Sequence, residues 1–165
     1  MVRRISQAHS MKGTVACLKI TLEDSEPPIW RRIEVKATTT LKTLHPIIQA
    51  AMGWEHDHLF HYKIGGYSAD GGRVSLADLA EAGYERFCYL YDMGDSWEHE
   101  LRIEKLWPAD PGALYPRYID GAGRCPPEGG GSVPGLLFDE KAIDEDQIRK
   151  DLTKIAKRGQ RNPPQ

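Results

Sequence analysis

The sequence predicts a single α+β domain: a β-grasp-like mixed sheet with one main covering helix, an added hairpin, a long Gly/Pro loop and a C-terminal helix. Three observations predict it. Short runs with period-two alternation of apolar residues recur along the first two thirds of the chain, as half-buried strands require. One stretch with apolar residues at helical spacing falls between the second and third of those runs. The resulting order, strand–strand–helix–strand–short helix–strand, is that of a ubiquitin-like arrangement in which one amphipathic helix covers one sheet face. At 165 residues the chain has room for one such domain. It is expected to span residues 14–159, with a flexible N-terminal tail at 1–13 and a disordered C-terminal tail at 160–165.

Residues 15–22 (VACLKITL) and 29–36 (IWRRIEVK) read as strands joined by the polar turn EDSEPP. Leu18, Ile20 and Leu22 share one face of the first. Ile29, Ile33 and Val35 share one face of the second, and Arg31 falls on that same apolar face. Leu44, Ile47, Ile48, Ala51 and Met52 then recur at helical spacing. Because Pro46 is tolerated in a first turn, Thr43 is the expected N-cap, with Gly53 as the stop. Residues 58–64 (HLFHYKI) form a third strand, on which His58, Phe60, Tyr62 and Ile64 share a face, followed by a loop rich in Gly and Asp. SLADLAEAG reads as a short helix with Ser75 and Asp78 at capping-box spacing and Gly83 at its end. Residues 87–91 and 97–103 make a hairpin around DMGDS. The stretch 107–138 holds 13 Gly or Pro in 32 residues, so it is expected to be an ordered loop or lid and not a strand region. A last helix carries Asp144 as cap, Gln147 at N3, Ile148, Leu152 and Ile155 on one face, and Gly159 as its stop.

With 40% hydrophobic and 28% charged residues the composition is that of an ordinary globular domain, which excludes disordered, collagen-like and membrane-spanning classes. No run has the roughly 18–20 apolar residues of a transmembrane helix. The arginines near the N-terminus precede no apolar core, so no secretory signal is expected. The net charge of −2 hides a split: residues 20–140 hold 11 bases against 20 acids, whereas residues 1–19 hold four bases and no acid. An acidic body repels phosphates, so nucleic acid is expected to be touched through the basic tails only. Cys17, Cys88 and Cys125 are odd in number and lack CxxC spacing, which implies a reducing, cytoplasmic compartment.

Chemistry is most legible in YDMGDSWEHELRI. Alternation places Trp97, His99, Leu101 and Ile103 on the apolar face, so His99 joins His58 in pointing toward the core. A buried imidazole needs polar partners, and the nearest in sequence are Asp92 and Asp95 in the turn. One reading is a metal or acid–base pocket in which His58, Asp92, Asp95 and His99 are ligands and His99 with Asp95 does the catalytic work. Imidazole with carboxylate suits zinc or a similar divalent ion. Arg31, Trp97, Cys125 and Glu128 complete the candidate pocket. The competing reading is structural: a DxGD turn whose carboxylates accept backbone N–H groups, and a hydrogen-bonded core histidine. No HExxH, paired CxxC, GxSxG or phosphate-loop pattern is present.

ITLEDSEPPIWRRIEV, LHPIIQAAMGW, HLFHYKI, YDMGDSWEHELRI, GRCPPEGGG and FDEKAIDEDQI together resemble the plasmid pRiA4b ORF-3-like family over residues 15–155. That family includes TnpR-type passenger proteins of insertion sequences. Asp92, Gly94, Asp95, Trp97 and His99 match its pattern, as do Cys125, Pro126, Pro127 and Glu128. The chain departs from it at Phe60, where the family often has a second histidine, and after Glu128, where a second loop cysteine is missing. The resemblance implies an α+β fold and an association with mobile elements. The expected function is that of an accessory or binding protein that docks a protein partner, or a nucleic acid through the tails. The alternative is a metal-dependent, hydrolase-like enzyme using His99 with Asp92 and Asp95. No membrane partner is expected.

Overall fold

The structure, a computed structural model, describes residues 11–55, 58–69, 71–126 and 143–161. Strands β1 (Thr14–Leu22), β2 (Ile29–Lys36), β3 (Phe60–Ile64), β4 (Tyr67–Ala69), β5 (Arg86–Tyr91), β6 (Trp97–Pro108) and β7 (Arg117–Ala122) form one sheet in the order β4-β3-β5-β6-β1-β2-β7. Helices α1 (Leu41–Met52), α2 (Leu76–Glu81) and α3 (Glu145–Arg161) complete the described chain. The α+β class is as expected, but the sheet is not mixed. Every pairing among the described strands is antiparallel, so the parallel contact of a β-grasp sheet is absent.

The β1–β2 hairpin forms because both strands alternate cleanly. Leu18, Ile20 and Leu22 are set in register against Ile33, Arg31 and Ile29. Ser25 stitches the intervening loop by donating to the Leu22 carbonyl and accepting from the Ile29 amide. The same apolar faces, with Tyr62, Tyr89, Trp97, Leu101 and Ile103, pack under Leu44, Ile47 and Ile48 of α1, Leu76 and Leu79 of α2, and Ile148 and Leu152 of α3. Burying each large aliphatic side chain contributes about 1.5–3 kcal/mol. All three helices therefore cover one side of the sheet.

Several boundaries differ from expectation, each for a tertiary reason. The cap of α1 is Thr40, not Thr43: its side chain accepts from the Thr43 amide, and the Leu41 amide bonds the Val74 carbonyl. Docking of the helix start on residues 74–76 thereby leaves Pro46 in the interior, at the loss of one intrahelical bond. The loop after β3 contains β4, reached through a Gly65–Gly66 turn with φ of 55° and 86°, the left-handed pair that a two-residue hairpin turn demands. The stretch from 107 is not free of strand: β6 runs on to Pro108, and β7 pairs with β2 over Trp30–Glu34. RYIDGA has little strand propensity of its own; an available edge of β2 recruits it. Gly159 does not stop α3, which reaches Arg161, so residues 160 and 161 belong to the helix and not to a disordered tail. The Ser75–Asp78 capping box, the left-handed Gly53 cap and the Asp144 side chain accepting from the Gln147 amide are as expected. Glu128 and the remainder of the 127–142 segment lie outside the described residues, as do residues 1–10 and 162–165.

Candidate functional site

Strand alternation carries His99 to the core, where it is fully buried. Its Nδ1 lies 3.2 Å from the Tyr89 carbonyl oxygen. A carbonyl only accepts, so Nδ1 holds the proton and Nε2 is bare. Nε2 has no hydrogen-bond partner among the described residues. The ring meets Trp54 edge-on at 5.1 Å between centroids. Burial drives its pKa down from the usual 6.5 to about 4, against the smaller opposing effect of hydrogen bonds to the Tyr89 and Trp97 backbone. His99 is thus a neutral imidazole at physiological pH, packed against the Trp54 ring.

The turn 92–96 is built around Asp92, whose φ of 62° is left-handed. Its Oδ1 accepts from the Gly94 amide at 2.9 Å and the Asp95 amide at 3.3 Å, and its carbonyl accepts from the Ser96 amide at 2.6 Å. These bonds hold a backbone that a non-glycine residue adopts at a cost of about 1–3 kcal/mol. Oδ2 faces His58 Nε2 at 3.6 Å. His58 itself is not on a core face. β3 starts two residues later, because pairing with β5 begins only at Phe60 opposite Tyr91, and His58 stands exposed beside the Tyr91 ring.

Arg31, on the apolar face as expected, is the centre of the buried polar structure. Its Nε donates to the Ala51 carbonyl at 2.8 Å, and its Nη1 to the Trp30 and Ala122 carbonyls at 2.9 and 3.0 Å. Its Nη2 points at Cys125 Sγ, 3.7 Å away. These partners are uncharged, and buried charges ordinarily require a counter-ion. Ala51 lies in the last turn of α1, which carries no basic residue of its own, so Arg31 sits at the negative end of that helix. Burial lowers the guanidinium pKa and pushes the Cys125 thiol up to about 11, the latter partly opposed by Arg31. Next along the chain, the Pro126 carbonyl accepts from Trp54 Nε1 at 3.1 Å. Trp54 in turn packs on Trp97 and His99.

The predicted residues therefore fall into two groups. Asp92, Asp95 and His58 meet at the hairpin turn, while Arg31, Cys125, Trp97 and His99 are joined through Trp54. Among the described residues no three of His, Cys, Asp or Glu converge at metal-ligand spacing. Among the described residues His58, Asp92, Asp95 and His99 do not make one ligand set: His99 is fully buried in the core, whereas His58 stands exposed at the turn beside Asp92. Sequence reasoning missed Tyr89, whose hydroxyl accepts from Gln49 Nε2 at 2.9 Å and lies 2.7 Å from His45 Nδ1. The helical spacing of His45 and Gln49 was the available signal; their partner on β5 was not.

The opposite side of the sheet is uncovered by any described helix. Lys19, Trp30, Arg32, Glu98, Glu100 and Arg102 face it and are wholly or partly accessible. Lys19 Nζ and the Arg32 guanidinium both lie 5.0 Å from the Trp30 ring centroid. A groove of about 480 Å³ runs between Glu23, Asp24, Lys63, Arg86, Glu98 and Glu100. Among the described residues no helix is long and apolar enough to cross a membrane.

These features define an α+β protein with a seven-stranded antiparallel sheet, a closed polar core on its helical side and an open charged face on the other. Residues 14–155 match the profile of the plasmid pRiA4b ORF-3-like protein family, and the chain belongs to that family. A relative from Sinorhizobium fredii (strain NBRC 101917 / NGR234), named uncharacterized protein y4hQ, is 39% identical over 131 residues, covering 72% of this chain and 67% of the relative. The crystal structure of a Methanosarcina mazei Go1 protein of unknown function, MM3350, superposes with a TM-score of 0.66 at 32% identity, over 72% of this chain and 74% of that one.

Proposed function

We propose that this protein is a docking module that engages a protein partner with the helix-free face of its sheet. The observation that carries this reading is that face itself: Trp30 set between two cations, surrounded by accessible side chains of both signs. Aromatic and arginine side chains are the residue types that dominate interface energetics. The mixture of signs favours a protein surface over a polyanion, because phosphates drawn to Arg32 or Arg102 would also meet Glu98 and Glu100. His99, buried in the core and neutral, plays no part in this docking surface. On this reading the protein works in the reducing cytoplasm, where its three unpaired cysteines persist, as an accessory to the mobile elements its family resemblance implies.

The test is capture of a partner on immobilised protein, compared between wild type and Trp30→Ser, with nuclease-treated extract. A partner held by wild type and lost from Trp30→Ser is the expected result. Loss of all captured material after nuclease treatment, or equal capture by both baits, would refute docking of a protein on this face.

A further inference from the structure

We infer that the outer face of α3 lies in the major groove of double-helical DNA and binds the phosphates beside it, a second surface on the opposite side of the sheet from the docking face. Lys150, Lys154, Lys157, Arg158 and Arg161 are all exposed. At 3.6 residues per turn they fall within one sector about 100° wide, running about 16 Å along the helix. Ile148, Leu152 and Ala156, the residues that α3 buries, lie on its other side. Residues 152–161 hold four bases and no acid.

The two halves of this helix differ. In the first, Arg149 pairs with Glu145 at 3.1 Å and Asp146 at 3.7 Å, and Asp151 reaches Lys154 at 3.2 Å. Lys150, Lys157, Arg158 and Arg161 form no ion pair among the described residues. Opposite charges four residues apart support a helix, whereas like charges at that spacing destabilise it. Lys150 with Lys154, Lys154 with Arg158, and Lys157 with Arg161 are all like pairs. The helix dipole favours cations in the last turn, which accounts for Arg158 and Arg161 alone. The elements beneath supply no compensating acid. α3 packs on α1 and β7. Residues 35–54, which include α1, contain no Asp or Glu. The acid of β7, Asp120, is turned to the open face, where it meets Arg32 at 2.9 Å.

A polyanion laid along the stripe relieves this repulsion, and three features choose duplex DNA as the polyanion. The apolar residues of α3 are spent on the core, so the helix has no face to sink into a membrane. Residues 143–161 include no aromatic side chain on which unpaired bases could stack. The major groove of B-form DNA admits an α-helix, whereas that of A-form RNA is too deep and narrow for its base edges to be reached. Lysine and arginine contacts to phosphate fix position and carry no sequence information, so binding is indifferent to base order.

Fluorescence anisotropy of the full chain on two labelled DNA duplexes of unrelated sequence tests this between 50 and 200 mM salt. Release of counter-ions from four to five phosphates gives a slope of about 4 in log Kd against log salt, a rise in Kd of about 250-fold over that range. The double variants K150Q/R158Q and K157Q/R161Q should each lower the slope to about 2, a rise of about 15-fold, equally on both duplexes. Glutamine is a good helix former, and circular dichroism verifies that each variant is folded. Arg73→Gln, which removes an exposed cation outside α3, should keep the wild-type slope. A wild type that does not bind at 50 mM salt, or double variants that keep its slope, would overturn α3 as a phosphate-binding face. A single strand, an RNA duplex or polyglutamate that competes as well as the DNA duplex would overturn duplex DNA as the occupant. The Trp30 capture reads the other side of the sheet, so failure here leaves the docking reading standing.

Discussion

Acid should destabilise this protein through His99 in a predictable way. In the unfolded chain the imidazole takes a proton near pH 6.5, whereas the folded core holds it neutral down to about pH 4. Below pH 6.5 the unfolded state therefore binds more protons than the native state, and stability falls as the pH falls. The loss is complete once the pH is below about 4. One proton over that interval corresponds to about 3 kcal/mol in total, and to about 2 kcal/mol between pH 7 and 4.5. Urea unfolding followed by tryptophan fluorescence at several pH values in this window measures it directly. His99→Phe keeps the ring and removes the titration, so its stability should decline less steeply than the wild type's by close to one proton. Carboxylates held low by their partners, such as Glu104 beside Arg32, also lose stabilisation in acid, but they are common to both proteins and cancel in the difference. Parallel pH profiles for the two proteins would refute the assignment of a sealed, neutral imidazole.

Arg31→Met removes the donors that satisfy the Ala51, Trp30 and Ala122 carbonyls; a loss of about 3 kcal/mol or more is expected in chemical denaturation, with Arg31→Lys recovering only part of it. Asp92→Ala should cost about 1–2 kcal/mol by freeing the Gly94 and Asp95 amides and straining a left-handed residue, while Asp92→Asn, which keeps an acceptor and tolerates that conformation, should cost less; thermal melts rank the two. Cys125, with its thiol near pH 11, should show roughly a hundredfold less thiolate at pH 8 than an ordinary cysteine, read as slow alkylation by mass spectrometry in the folded protein and rapid alkylation in urea. Gly121→Ala brings a β-carbon to 2.7 Å from the Trp30 carbonyl, and detachment of β7 should lower the melting temperature by several degrees, equivalent to about 2 kcal/mol.

The residues of β1, β2 and β6 announce themselves because alternation is a local property: Ile20, Ile33 and Leu101 occur at the period that any half-buried strand imposes. The same periodicity made the burial of His99 and Arg31 legible, since both fall on apolar faces. The capping box of α2 and the caps of α3 and Gly53 were equally local. What the tertiary structure alone decided are the features that depend on partners distant in the chain. β7 is a strand only because β2 offers an edge to residues nearly a hundred positions later, and the start of α1 moves to Thr40 because residues 74–76 bind it. Whether His58 shares a site with His99 could not be read from two core-facing patterns, because alternation assigns a face and not a neighbour; the exposed bend at 58–59 separates them. The row of Arg86, Arg102, Lys19 and Arg32 across the open face is likewise invisible along the chain, since each cation comes from a different strand and only the register of three pairings lines them up. Period and caps act through neighbouring residues, whereas sheet order and register are settled by the burial of the whole core.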